Sequence, residues 1–116
     1  MINDFNYDRL NEEWNEAKPY RHVIIDNFFK EKVALKIASE FPDITSDKGV
    51  LYNNPIEIKK AVGDWNHFSK YTYQAFQYMC SHEFLSKVEQ ITGIEGLISD
   101  YGLHGGGYHM HSRGGK

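Results

Sequence analysis

Helical spacing of apolar residues stops at Gly93 and does not resume. From Ile94 the chain reads IEGLISDYGLHGGGYHMHSRGGK. Its last seventeen residues, Asp100 to Lys116, hold six of the ten glycines and three of the six histidines. Glycine at that density disfavours a helix and suits turns, bulges and curved strands. Residues 94–116 therefore read as extended strands and turns. A chain that is helical up to this point and glycine-rich β structure beyond it belongs to the α+β class.

The helices are legible by periodicity. FNYDRLNEEWNEAKPY opens with a short one, Leu10 and Trp14 lying four apart on one face, and Pro19 bounds it. KEKVALKIASEFPD is the most regular, with Ala34, Ile37, Ala38 and Phe41 at helical spacing and Pro42 as its stop. HFSKYTYQAFQYMC places Phe68, Thr72, Ala75, Phe76 and Met79 on one face. Ser81 then caps HEFLSKVEQITG, with Leu85, Val88 and Ile91 or Thr92 inward and Gly93 as the C-terminal stop. Between Tyr20 and the second helix, Val23, Ile24 and Ile25 form a β-branched run expected to be a buried strand, with Asp26 or Asn27 capping the next element. Residues 43–65 are rich in turn formers and read as a loop with one short extended piece. A lone strand at Val23 needs a sheet to join. The late extended segments supply little of one, so the expectation is one domain fragment over residues 1–116, with further residues beyond Lys116.

Composition narrows the function classes. A net charge of −3 gives no cationic face for nucleic acid. No apolar run approaches the roughly 20 residues that span a bilayer, so no membrane partner is expected. Cys80 is the only cysteine, which rules out an internal disulfide and favours an inert buried thiol. With no secretory leader in MINDFNYDRL, a soluble cytoplasmic protein is expected. Aromatic residues, at 15%, point to a core of large rings or to an aromatic-lined surface.

The chemistry-bearing candidates lie in the terminal segment. Gly105-Gly106-Gly107 fits neither a phosphate-binding loop nor a dinucleotide fingerprint, and reads as a bend or bulge in a curved sheet. His109 and His111 stand at i and i+2, which on a strand is one face. Imidazoles so placed can share a metal, but a third ligand is needed, and His104 would have to fold back across the glycines to supply it. Solvated or pocket-lining histidines are the simpler reading. His22, His67, His82, and Asp64 beside Trp65 show no partner at a meaningful spacing.

Two segments, HVIIDNFFKEKVALKIASEFPD and YGLHGGGYHMHSRGGK, carry a resemblance. Together they resemble the N-terminal part of the iron(II)- and 2-oxoglutarate-dependent oxygenases of the prolyl-hydroxylase-like superfamily. In that family a strand ending in Asp-x-Phe (here Ile24, Ile25, Asp26, Asn27, Phe28) leads into a helix ending in Phe-Pro (here Phe41-Pro42). A helical support comes next, then a strand and a glycine turn, here Gly105 to Gly107 and again Gly114-Gly115-Lys116. The resemblance implies an N-terminal strand and support helices leading into a double-stranded β-helix, or jelly-roll, of which only the start is present. It implies a parent dioxygenase using Fe(II), 2-oxoglutarate and O2 to hydroxylate a protein prolyl residue or a small molecule. The family's His-x-Asp, distal His and 2-oxoglutarate-binding Arg or Lys come after the glycine turn. No catalytic or metal-ligating residue is therefore assigned within 1–116, no cofactor is expected to bind this piece tightly, and the piece alone is expected to be inactive. By position, His109 or His111 would reach the co-substrate or substrate pocket. Two other readings stand beside it: a small α+β binding module with an aromatic-rich surface, and a metal site built from His104, His109 and His111.

Overall fold

A computed structural model of the chain describes residues 1–41, 49–53 and 58–114. Among these the fold is α+β, with four α-helices and one small antiparallel sheet.

Helix α1 spans Tyr7–Glu16 and starts where Asn6 caps it, the Asn6 Oδ1 accepting from the Arg9 N–H at 3.1 Å. Helix α4 spans His82–Thr92. Ser81 caps its start, Oγ accepting from the Phe84 N–H, and Gly93 ends it in the left-handed conformation at φ 74°. The two helices pack on each other, Leu10 of one and Ile91 of the other are buried, and Asn11 Nδ2 donates to the Ile91 carbonyl at 2.8 Å.

Helix α2 spans Glu31–Glu40 and α3 spans Lys70–Met79. The Glu40 carboxylate accepts from the Tyr71 and Thr72 N–H groups, at 2.9 and 3.2 Å. It thereby caps the start of α3, where Ser69 makes no side-chain cap. This fixes the rotation of α2 and corrects the expected stripe. Ala34 and Ala38 face solvent, whereas Val33, Ile37 and Glu40 are the half-buried positions. Pro42 lies outside the described residues.

The expected strand at Val23–Ile25 does not form. Residues 21–25 take no regular secondary structure, and no described strand pairs with them. Their side chains still alternate: Val23 and Ile25 turn toward the core and Ile24 is 74% exposed. Neither Asp26 nor Asn27 caps α2, whose cap position is Lys30. Asn27 instead sits in a turn at φ 52°, and the chain beyond it pairs with the N-terminus. Asn3 N–H donates to Phe28 O, and Lys30 N–H to Met1 O.

The segment expected as a loop with one short extended piece holds two strands, β1 at Val50–Asn53 and β2 at Ile58–Val62; the residues around them at 42–48 and 54–57 are not among those described. The third strand, β3, is Tyr108–Met110. The sheet order is β1-β2-β3, both pairs antiparallel, with Val50 opposite Ala61 and Ala61 opposite His109. This register decides which side chains share a face. Val62, Tyr108 and Met110 lie on one face, where Val62 and Met110 pack with Phe68, backed by Trp65, Phe76, Leu103 and Tyr108. Here the high aromatic content finds its use. Phe68 stacks on Phe76 at 4.6 Å between centroids, and Trp65 lies edge-on to Tyr73 at 5.0 Å.

Candidate functional site

The other face of the sheet carries Val50, Ala61 and His109 in one row across the three strands. It is open: Val50 is 60% exposed and His109 is exposed as well. A cleft of about 480 Å³ lies against it. The floor is Val50, Lys59, Ala61 and His109. The wall is made by Gly63, Asp64 and His67 on one side and by Leu103, Gly105 and Gly106 on another.

Local chemistry explains the wall. Asp64 caps the 3-10 turn Trp65–His67, its Oδ1 accepting from the Asn66 N–H at 2.9 Å, and this sets His67 at the cleft. Trp65 Nε1 donates to the Tyr101 carbonyl at 2.7 Å and anchors the start of the opposing loop. Asp100 then ties that loop to itself. Its carboxylate accepts from the His104 N–H at 2.7 Å and the Gly102 N–H at 3.1 Å, and His104 Nδ1 stands 3.2 Å away. The His104 N–H foremost, with its ring and the Gly102 N–H, holds the Asp100 carboxyl below the usual range. Gly107 closes the loop at φ 134°, where a Cβ would overlap the Val62 carbonyl. The glycine run is thus a bend seated directly on β2, which is the role its turn chemistry suggested.

The three terminal histidines part company. His104 is bound to Asp100 with its side chain 89% exposed. His109 lines the cleft. His111 is exposed and does not line it; β3 ends at Met110, so the same-face rule of a strand does not carry on to His111. Among the described residues no three His, Cys, Asp or Glu side chains come together to hold a metal ion. The three-imidazole site is therefore not formed. Cys80 is half-buried, and its thiol is pushed up by burial, with the Asp100 charge adding to it.

Sequence reasoning missed Lys59, Asp64 and His67. Asp64 and His67 have no partner nearby in sequence, and only the pairing of β2 with β3, nearly fifty residues apart, brings them near His109. The usable signal was the alternation in Lys59-Lys60-Ala61-Val62, which sends Lys60 and Val62 inward and Lys59 and Ala61 to the other face.

Compared with known proteins, the chain matches no family model, no curated protein and no solved structure. Among the described residues no helix is long and apolar enough to cross a membrane.

Proposed function

We propose that this chain is the front part of an iron(II)- and 2-oxoglutarate-dependent oxygenase, with its sheet the beginning of a jelly-roll and His109 on the inner wall. The supporting observation is the asymmetry of the sheet. One face is packed by aromatic rings and α3, and the other is an open cleft bearing His109. A jelly-roll lays two sheets face to face, so the inner face of each must be free of helices. The resemblance puts the pocket on the strand that leads to the glycine turn, and here that strand is β3.

The described residues do not themselves make an iron site. The proposal assigns iron to a His-x-Asp and a distal His beyond Gly114-Gly115-Lys116, and assigns to His109, Lys59 and His67 the binding and orienting of a small polar molecule in the cleft. The substrate is a protein prolyl residue or a small molecule.

The test is the gene itself and then its product. The coding sequence past Lys116 is expected to show His-x-Asp within about a dozen residues, the reach of an ordinary hairpin connection. The full product, supplied with Fe(II) and O2, is expected to convert 2-oxoglutarate to succinate, and His109→Ala to weaken 2-oxoglutarate or substrate binding. A reading frame lacking His-x-Asp, or a full product inert toward 2-oxoglutarate, overturns the proposal.

A further inference from the structure

A second cavity lies on the helical side of the molecule. It has a volume of about 220 Å³ and is walled by Ile2, Phe5, Tyr7 and Trp14, by Val23, Ile25 and Phe28, and by one side of α4 between Phe84 and Thr92. Five of its lining side chains are aromatic: Phe5, Tyr7, Trp14, Phe28 and Phe84. No polar atom is presented to it. Lys87 contributes only its stem, since its ammonium stands 3.5 Å from the Glu83 carboxylate and over the Tyr7 ring.

Among its lining residues Ile91 is buried and the others are half-buried, so the space opens to solvent. It is framed on each side. The Asn11–Ile91 hydrogen bond fixes α1 on α4. The pairing of residues 1–3 with 28–30 fixes the N-terminus. Phe28 is held between Phe5, parallel at 6.2 Å, and Phe84, edge-on at 5.8 Å. Water inside it meets no polar partner on the wall, and an apolar guest of one or two rings releases that water.

We infer that this cavity is a binding site for a small, neutral, apolar molecule of one or two rings. The inference rests on no part of the oxygenase reading, because the cavity shares no lining residue with the cleft at His109.

Toluene is the probe, titrated into the chain with methyl NMR as the readout. The expected result is saturable shifts of the Ile2, Val23, Ile25, Val88 and Ile91 methyls, with those of the exposed Leu35 and Leu51 unmoved. Benzoate, which carries a charge the wall cannot pair, binds at least tenfold more weakly. Val88→Phe fills the space and weakens toluene binding at least tenfold; Val23→Phe does the same from the opposite wall should the first variant fold poorly. Three results overturn the inference: no saturation up to the solubility of toluene, shifts spread equally to Leu35 and Leu51, or unchanged affinity in a folded filled variant.

Discussion

The helical pair α1 and α4 and the three-stranded sheet are held by different kinds of contact. Each helix carries its own start signal, Asn6 for α1 and Ser81 for α4, and Gly93 supplies a stop for α4. The sheet has no such local instruction. Its central strand β2 is completed on one side by β1 and on the other by β3, from much later in the chain. The helical pair buries Leu10 and Ile91, while one face of the sheet stays open. Local signals start and stop the helices and β1 pairs with its near neighbour β2, whereas β3, the strand that completes the cleft, joins only by pairing from far along the chain.

The largest effect is expected where the sheet depends on one backbone position. Gly107→Val forces a side chain into a φ of 134° and against the Val62 carbonyl. Strain and overpacking together cost about 4 kcal/mol. Urea denaturation with amide exchange is the check. Protection is expected to vanish in β2 and β3 and to persist in α1 and α4. Loss of protection in step across both regions would show one cooperative unit, with no separation between helical pair and sheet.

Next comes the helical pair itself. Ile91 is 7% exposed and anchors α4 on α1. Ile91→Ala is expected to cost about 3 kcal/mol by loss of buried methyls and a residual cavity. Here amide protection should fall first in α1 and α4, the reverse of the Gly107 variant. If the sheet lost protection first, the helical pair would not be a unit of its own.

The same division decides what can be read in advance. The four helices are legible from apolar spacing and caps, and the structure places them close to where that spacing puts them. The α2 stripe differs because its rotation is set by Glu40 reaching the start of α3, a contact between helices that periodicity does not contain. Val23–Ile25 has strand composition and strand alternation but no described strand beside it, and composition cannot supply a partner. The strands at Val50–Asn53 and Ile58–Val62 are hidden in the sequence by the Lys, Asn and Pro around them. At the cleft, His109 is legible as a residue of the glycine-rich segment. Lys59, Asp64 and His67 are not, since their neighbourhood exists only once β2 meets β3.

A smaller effect sharpens the boundary between α3 and α4. The Tyr78 hydroxyl is buried with no hydrogen bond of ordinary geometry among the described residues; burial is the larger cause acting on its pKa and pushes it up, against the nearby Lys87 ammonium, which pulls it down. Tyr78→Phe removes the unpaired group and keeps the ring against Phe84. The variant is expected to be more stable by about 1 kcal/mol. Equal or lower stability by thermal denaturation would mean that the hydroxyl is paired in solution.

The smallest effect lies at the join between the regions. The Cys80 carbonyl, at the end of α3, accepts from the Ser99 and Tyr101 hydroxyls, and Asp100 between them fastens the loop that walls the cleft. The Asp100 carboxyl titrates below its ordinary value of 3.8 in the folded chain. A depressed folded pKa means that these hydrogen bonds stabilise the loop above the ordinary value and are lost as pH falls through the lower, folded one. The Gly102 and His104 amide resonances should therefore move together below pH 3.8. In Asp100→Asn that titration should be absent. The same substitution removes a negative charge that raises the Cys80 thiol, so alkylation of Cys80 should quicken slightly at fixed pH. The gain stays small because burial, not Asp100, is the larger cause of the raised thiol. A large acceleration would show that the loop had opened, and that the cleft wall and the end of α3 depend on one carboxylate.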